Sequence, residues 1–465
     1  MSGRFYVHTF GCQMNVHDSD RMEDVLLAHG WSKADHLDSA DLIVFNTCSV
    51  RETAENKLRI EIDKLRPRKR ARPSLLIAVA GCVAQQEGEA LLKEMPAIDL
   101  VIGPDNIREL PALLSEQVAG APPLARTVFD VDAPTFLAAA PRPGQAPVSA
   151  YITTMKGCDE RCSFCVVPYT RGPERYRPAD DIIAEANRWV AAGARELLLL
   201  GQTVDSYRDP ALPPPASADP DETQFPALLR RIASEVPGLV RLRYTSPHPR
   251  HTTPSLCAAH AELDVLARHI HLPVQSGSNR ILKRMIRRYT REEFLQRIAR
   301  LRAARPGLTL STDLIVGFPG ETEEDFAATL SLVQEAGFTT AFTYKYSVRP
   351  HTPARKLGDE VPEEVKSERL LRLIALVEEQ GAAYLRTLVG SVQRVLVEGR
   401  SQRAPRGETP AGEIFHGRSE RNEVVHIDFP SYSAPLGELV EVRITRAHKH
   451  SLVGELLAAE RARFH

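Results

Sequence analysis

The sequence lacks three features that would send its reading elsewhere. No stretch of its 465 residues approaches the roughly 20 apolar positions that a membrane-spanning helix needs, so no membrane partner is expected. Met1-Ser2-Gly3-Arg4-Phe5 runs straight into a strand-like segment with no secretory h-region, which points to the cytoplasm. No charge of either sign is in excess: 59 Lys and Arg face 60 Asp and Glu, a net charge of −1. Bulk charge therefore does not announce a nucleic-acid partner, and any such surface must be local. Cysteine is scarce, at seven residues, and in a reducing compartment these read as ligands or reactive thiols rather than disulfides.

What is present is a pattern in six of those seven cysteines. Cys158, Cys162 and Cys165 have the spacing C-x-x-x-C-x-x-C. Three thiolates so spaced can hold a cubane iron–sulfur cluster and leave its fourth iron without a protein ligand, and an open position is where chemistry happens. Tetrahedral zinc would want a fourth Cys or His close by, and no His lies inside or just after the run.

The chain reads as an α/β multidomain protein. In residues 3–120 the strand candidates Arg4–Phe10, Asp41–Asn46 and Leu75–Ala80 alternate with helical patterns at Asp18–His29, Val50–Leu65 and Gln85–Met95. This predicts an open parallel βαβ sheet. Cys12, Cys48 and Cys82 each follow one of these strands. Parallel strands end on one edge of a sheet, and open α/β sheets bind ligands at that carboxyl edge. The three can therefore converge on a second three-thiolate site, with glycine before two of them for close backbone approach.

A Pro/Ala-rich linker is expected over 121–147. Residues 148–384 hold six strand candidates, Ser149–Met155, Glu196–Leu200, Val240–Tyr244, Ile270–Val274, Thr309–Val316 and Ala341–Tyr346, with helical patterns between them. They suggest a partial (β/α)6 barrel with the 158–165 cysteines at its catalytic mouth. Residues 386–457 look all-β, with strands at Gln393–Val397, Val424–Asp428, Leu439–Ile444 and Leu452–Glu455, a small barrel of a kind that often binds nucleic acid. Three basic runs could serve as local surfaces: Arg66–Arg72, Lys283-Arg284 with Arg287-Arg288, and Arg446–His450. Cys257 has no cysteine neighbour in sequence and reads as a buried, inert thiol.

These motifs resemble those of the radical S-adenosylmethionine methylthiotransferases over essentially the whole chain, and most of all the MiaB-type branch. The matching strings are Thr9-Phe10-Gly11-Cys12-Gln13-Met14-Asn15, Asn46-Thr47-Cys48-Ser49-Val50-Arg51, Gly81-Cys82-Val83-Ala84-Gln85 and Gly157–Gly172. Further matches are His271–Asn279, Asp313–Thr322 and Gly417-Arg418-Ser419. Two strings depart from the family: Gln202-Thr203-Val204-Asp205 stands for Gln-Asn-Val-Asn, and Arg349-Pro350-His351-Thr352-Pro353 for Arg-Pro-Gly-Thr-Pro.

The resemblance implies a transferase that methylthiolates C2 of N6-isopentenyladenosine at position 37, in the anticodon loop of tRNA. It implies two 4Fe-4S clusters and S-adenosylmethionine, the latter as both methyl donor and source of a 5′-deoxyadenosyl radical. Phe164 would lie near the adenine, Gln202 near the methionine end, and Asp313 to Gly317 would support the adenine. A C-terminal TRAM domain would hold RNA through Arg446 and Lys449. An external electron donor such as flavodoxin or ferredoxin is expected, and a monomer. Competing readings are methylthiolation of threonylcarbamoyladenosine in tRNA, of a ribosomal-protein aspartate, or a two-cluster electron carrier.

Overall fold

The structure, a computed structural model, describes residues 3–49, 52–138, 141, 144, 146–401, 413–429 and 435–463. Val50 and Arg51 of the second cysteine motif and residues 139, 140, 142, 143 and 145 of the expected linker lie outside the described residues.

The N-terminal sheet is parallel throughout, with strands β1 (Arg4–Phe10), β2 (Ser32–Lys33), β3 (Leu42–Thr47), β4 (Leu76–Gly81), β5 (Leu100–Ile102) and β6 (Leu124–Arg126) in the order β2-β1-β3-β4-β5-β6. β3 and β4 are buried at every position, as expected for parallel strands covered on both faces. Leu42 and Val44 pack with Met22 and Leu26 on one face, and Ile43 and Phe45 pack with Leu58 and Ile62 on the other. Three-residue strands carry too little pattern to stand out in a sequence, which is why β5 and β6 were not expected. β6 falls inside the segment expected as linker, and that segment stays docked: Asp130 accepts from Lys156, and Phe129 lies under Arg175. The Gln85–Met95 helical pattern is two short helices, Cys82–Glu87 and Glu89–Glu94, split at Gly88 with φ of 52°. The helix expected to stop at Leu65 continues to Ala71, through Pro67.

The central region forms two parallel three-stranded arcs. One is ordered β11-β10-β7, with β7 (Ser149–Thr153), β10 (Glu196–Leu200) and β11 (Arg241–Tyr244); the other is β12-β13-β14, with β12 (His269–His271), β13 (Thr309–Val316) and β14 (Thr340–Lys345). A parallel bridge from Leu242 to Leu266 joins them, and one apolar core runs beneath both. The expected Ser149–Met155 strand breaks at Thr154. Its continuation β8 (Met155–Lys156) pairs antiparallel with β9 (Arg175–Tyr176).

The C-terminal region closes into a five-stranded barrel, β15-β16-β17-β19-β18, from β15 (Val392–Arg400), β16 (Glu413–Ser419), β17 (Val424–Phe429), β18 (Leu439–Ala447) and β19 (Leu452–Leu456). Alternate side chains such as Val395, Phe415, Ile427, Val442 and Leu452 fill it. β16 was not expected as a strand because Gly417 interrupts its pattern; a Cβ there would come within 2.2 Å of the Leu396 carbonyl oxygen. The β16–β17 turn docks on the amino-terminal ends of the central strands. The Arg418 carbonyl accepts from Arg241, that of Ser419 from Arg243, and that of Arg421 from Thr309. Among the described residues, no helix is long and apolar enough to cross a membrane.

Candidate active site

Strand register brings the first three cysteines together. β1, β3 and β4 are neighbours, with Phe10 opposite Thr47 and Thr47 opposite Gly81. Cys48 and Cys82 are the next residues after Thr47 and Gly81, and Cys12 lies two beyond Phe10, so all three leave the same edge. Room for this approach comes from glycine: a Cβ on Gly11 would sit 2.6 Å from the Cβ of Cys48, and one on Gly81 2.3 Å from Asn46 Oδ1. Gly11 and Gly81 have φ of 145° and 90°, which L side chains rarely adopt. Beneath them Asn15 and Asn46 are mutually bonded, Asn15 Nδ2 donating to Asn46 Oδ1 at 2.9 Å and Asn46 Nδ2 to the Asn15 carbonyl at 2.7 Å.

Cys12 caps the helix Gln13–Ala28. A bond with the Cys48 thiol, against the opposing effect of burial, together with the Arg171 charge and helix-start amides, holds it down to about 6. Burial pushes Cys82 up, while Arg171 Nε donates to its Sγ at 3.2 Å.

The other triplet lies on one loop, closed at its base by the β8–β9 ladder and by the Cys158 N–H donating to the Gly172 carbonyl at 3.1 Å. A Cβ on Gly157 would fall 1.8 Å from the Pro173 carbonyl oxygen. The loop tip is pinned by Ser163, whose N–H donates to the Met285 carbonyl at 2.9 Å and whose hydroxyl donates to that of Arg284 at 2.8 Å. Thr203 Oγ1 lies 2.9 Å from Cys158 Sγ, and Arg287 donates to Cys162 Sγ at 3.3 Å. Burial and the neighbouring Cys162 push Cys165 up to about 12, and burial raises Cys158 as well, so metal must displace protons there.

Among the described residues no three His, Cys, Asp or Glu side chains are close enough to hold a single metal ion. A cubane seats each thiolate on a different iron and so needs wider spacing than one ion does. Two all-thiol sets, free of imidazole and carboxylate, suit iron–sulfur or zinc chemistry and not calcium, and the lack of a fourth protein ligand in either set favours a cluster over a closed zinc site.

Beside Cys165 lies a cavity of about 820 Å³, lined by Phe164, Asp313, Gln275 and Tyr346 among others. Asp313 Oδ2 lies 3.3 Å from His271 Nε2. Gln202 is not in that lining, but both its amide atoms are buried without a hydrogen-bond partner, as are Asp205 Oδ2, His248 Nε2 and Glu160 Oε2. Each unmade bond of this kind costs about 1–3 kcal/mol, so a polar ligand is expected against them. Gly317 does not line the cavity; its missing side chain clears the Lys366 stem, 2.3 Å from where a Cβ would sit.

The basic runs are mostly committed elsewhere. Arg68 donates to the Leu37 and Asp38 carbonyls, and Lys69 pairs with Asp99 at 2.7 Å. Arg287 is buried at Cys162, where a run of positive charge had pointed to nucleic acid. On the C-terminal barrel Arg446 and Lys449 are exposed, and Lys449 pairs with Glu378 of the helix Glu363–Thr387 at 2.9 Å. Cys257 packs in the central core. Arg171, Thr203, Asp205, Gln275 and Arg287 escaped the sequence reading of the site. The signal available for the first four was their position inside a motif string, and for Arg287 a basic run.

Residues 4–103 match the description of an uncharacterized protein family, UPF0004, residues 152–333 the Radical SAM superfamily, and residues 386–457 the TRAM domain. The chain is 62% identical, over 99% of its length and 94% of the relative's, to a tRNA-2-methylthio-N(6)-dimethylallyladenosine synthase of Sorangium cellulosum. It is 44% identical, over 99% and 93%, to the enzyme of the same name from Bordetella bronchiseptica. Among solved structures, the radical S-adenosylmethionine methyltransferase TsrM of Kitasatospora setae, with cobalamin and a 4Fe-4S cluster bound, superposes with a TM-score of 0.53 at 15% identity, covering 85% of this chain and 81% of that one. At that identity the likeness concerns the fold alone.

Proposed function

The chain belongs to the tRNA-2-methylthio-N(6)-dimethylallyladenosine synthase family of radical S-adenosylmethionine enzymes, and from that premise we propose that it attaches a methylthio group to C2 of N6-isopentenylated adenosine 37 in tRNA. Cys158, Cys162 and Cys165 would hold the 4Fe-4S cluster that the family uses with S-adenosylmethionine. Cys12, Cys48 and Cys82 would hold a second. When bound, the two supply one-electron cleavage of S-adenosylmethionine at the first site and a sulfur to be methylated and transferred at the second.

The protein's own part is to bind, orient and shield. Gln202, with Asp205 and Glu160 nearby in the polar cluster, offers buried polar atoms to the amino-acid end of S-adenosylmethionine. Burial holds Asp205 well above the ordinary carboxylate range, so it can donate as well as accept. Phe164 supplies an apolar face beside Cys165, and Asp313, next to His271, supplies an acceptor in the same cavity lining. The cavity is large enough for a flipped-out nucleobase, and single-stranded loop bases are the ones proteins can reach. Arg446 of the TRAM barrel would contact the RNA backbone. We read the two central arcs as halves of an open six-stranded barrel, and an external one-electron donor such as flavodoxin or ferredoxin as the source of reducing power.

One observation supports the reading above others: the register of β1, β3 and β4 gathers three thiols at one sheet edge, and Arg171 links that edge to the loop carrying the other three. The test is nucleoside mass spectrometry of tRNA from cells lacking this chain. The 2-methylthio derivative should vanish and isopentenyladenosine accumulate. Persistence of the methylthio nucleoside, with no second such enzyme in the cell, would overturn the assignment.

A further inference from the structure

Two consecutive residues touch both cysteine triplets. The Gly172 carbonyl accepts from the Cys158 N–H, while the Arg171 side chain donates through Nε to Cys82 Sγ at 3.2 Å and through Nη2 to Asp18 Oδ2 at 2.6 Å. The Arg171 side chain is 6% exposed. Its backbone is held on both sides, with its N–H donating to the Val167 carbonyl at 2.8 Å and its carbonyl accepting from Arg175 Nη2 at 2.6 Å. Asp18 lies on the helix that Cys12 caps, and its neighbour His17 reaches Thr153 at the end of β7 at 3.3 Å.

A thiolate-ligated cluster is anionic, and a buried anion needs a paired cation. Arg171 is that cation, and Asp18 partly neutralises it. We propose that Arg171 is a positioning residue for the Cys12, Cys48 and Cys82 site: its guanidinium holds the Cys82 thiolate in register with the Cys158 loop and raises the reduction potential of the iron held there. The physical reason is that reduction adds negative charge to an already anionic group, and a cation hydrogen-bonded to a ligand sulfur favours the reduced form. Asp18 moderates the effect by opposing that charge. The inference rests on the proposed second cluster.

The test is a redox titration, followed by electron paramagnetic resonance, of the full chain reconstituted anaerobically with iron and sulfide. The Cys158 cluster is recognised as the signal that changes when S-adenosylmethionine is added. In Arg171→Gln the potential of the other signal should move to more negative values, Arg171→Lys should restore part of the shift, and Asp18→Asn should move it to more positive values. The potential of the S-adenosylmethionine-responsive signal should stay where it is. An unmoved second potential in Arg171→Gln and Asp18→Asn overturns the proposal. So does loss of the second iron set from all three variants, since these residues would then act on loading alone. A wild-type chain that takes up only roughly four irons would instead sink the second cluster itself and leave the Arg171 contact a plain structural bond.

Discussion

The two cysteine triplets, each proposed to hold a cluster, are assembled by opposite routes. Cys158, Cys162 and Cys165 are neighbours in the chain, on a loop whose base is a two-residue ladder and whose tip is pinned to the segment around Met285. Cys12, Cys48 and Cys82 are separated by whole strand–helix units and meet only because β1, β3 and β4 are adjacent and parallel. A local loop can hold its ligands before the rest of the molecule folds. A sheet edge cannot, so its binding site is a readout of the whole domain's tertiary structure. Each set has a buried arginine on one sulfur, Arg287 at Cys162 and Arg171 at Cys82.

The sharpest way to break this comparison is to remove one thiol from each set. Cys162→Ala should abolish 5′-deoxyadenosine formation, a loss beyond about 100-fold, while Cys48→Ala should abolish methylthio transfer but leave S-adenosylmethionine cleavage measurable; each should lower iron content by about half. Identical losses from both variants would mean that the sets do not act separately.

Alanine at the glycines comes next. At Gly157 the added methyl meets the Pro173 carbonyl, and at Gly81 it meets Asn46, both at positive φ. Each should cost about 3 kcal/mol locally, and iron analysis should show that Gly157→Ala empties one site and Gly81→Ala the other.

The ion pairs that Asp105 makes with Lys156 and Arg175 of the β8–β9 ladder are tested by pH. Burial raises the Asp105 carboxyl, but Lys156 and Arg175 outweigh it and hold it at about 2, below its ordinary 3.8. A depressed acid stabilises the fold above its unfolded pKa and loses that contribution as pH falls through the folded one. Thermal stability should therefore drop between about pH 4 and pH 2, and Asp105→Asn should flatten that limb while costing about 2 kcal/mol at neutral pH.

On the RNA side, Arg446→Ala with Lys449→Ala should weaken tRNA binding and reduce its salt slope by about 1 to 2; the exposed Lys449–Glu378 pair itself should contribute below about 1 kcal/mol. Unchanged affinity and salt slope would remove these residues from the interface. Smallest of all, Cys257→Ala should keep its iron and lose about 1 kcal/mol of stability, since the thiol packs among apolar neighbours.

Strands such as Arg4–Phe10, Glu196–Leu200 and Thr309–Val316 were legible to the residue, because each is a run rich in apolar or β-branched residues closed by a glycine. The three-residue strands β5 and β6 were not, and neither was β16, broken in pattern by Gly417. In the site, residues whose chemistry declares itself, the thiols, were visible. Residues that act by touching a thiol were not. Arg287 read as part of a basic surface because four positive charges close in sequence look alike whether they face water or a cysteine.

By itself the sequence determined the six thiols proposed as ligands, the C-x-x-x-C-x-x-C loop, the strand-then-cysteine repeats and the family, because these depend on residue identity and short spacing. Only the tertiary structure decided that β1, β3 and β4 lie side by side, that Arg171 spans from one cysteine set to the other, and that the C-terminal barrel docks at the amino-terminal ends of the central strands, away from the cysteine mouth. The Arg171 and barrel-docking contacts join residues about 90 to 180 positions apart, and no local pattern encodes a partner at that distance.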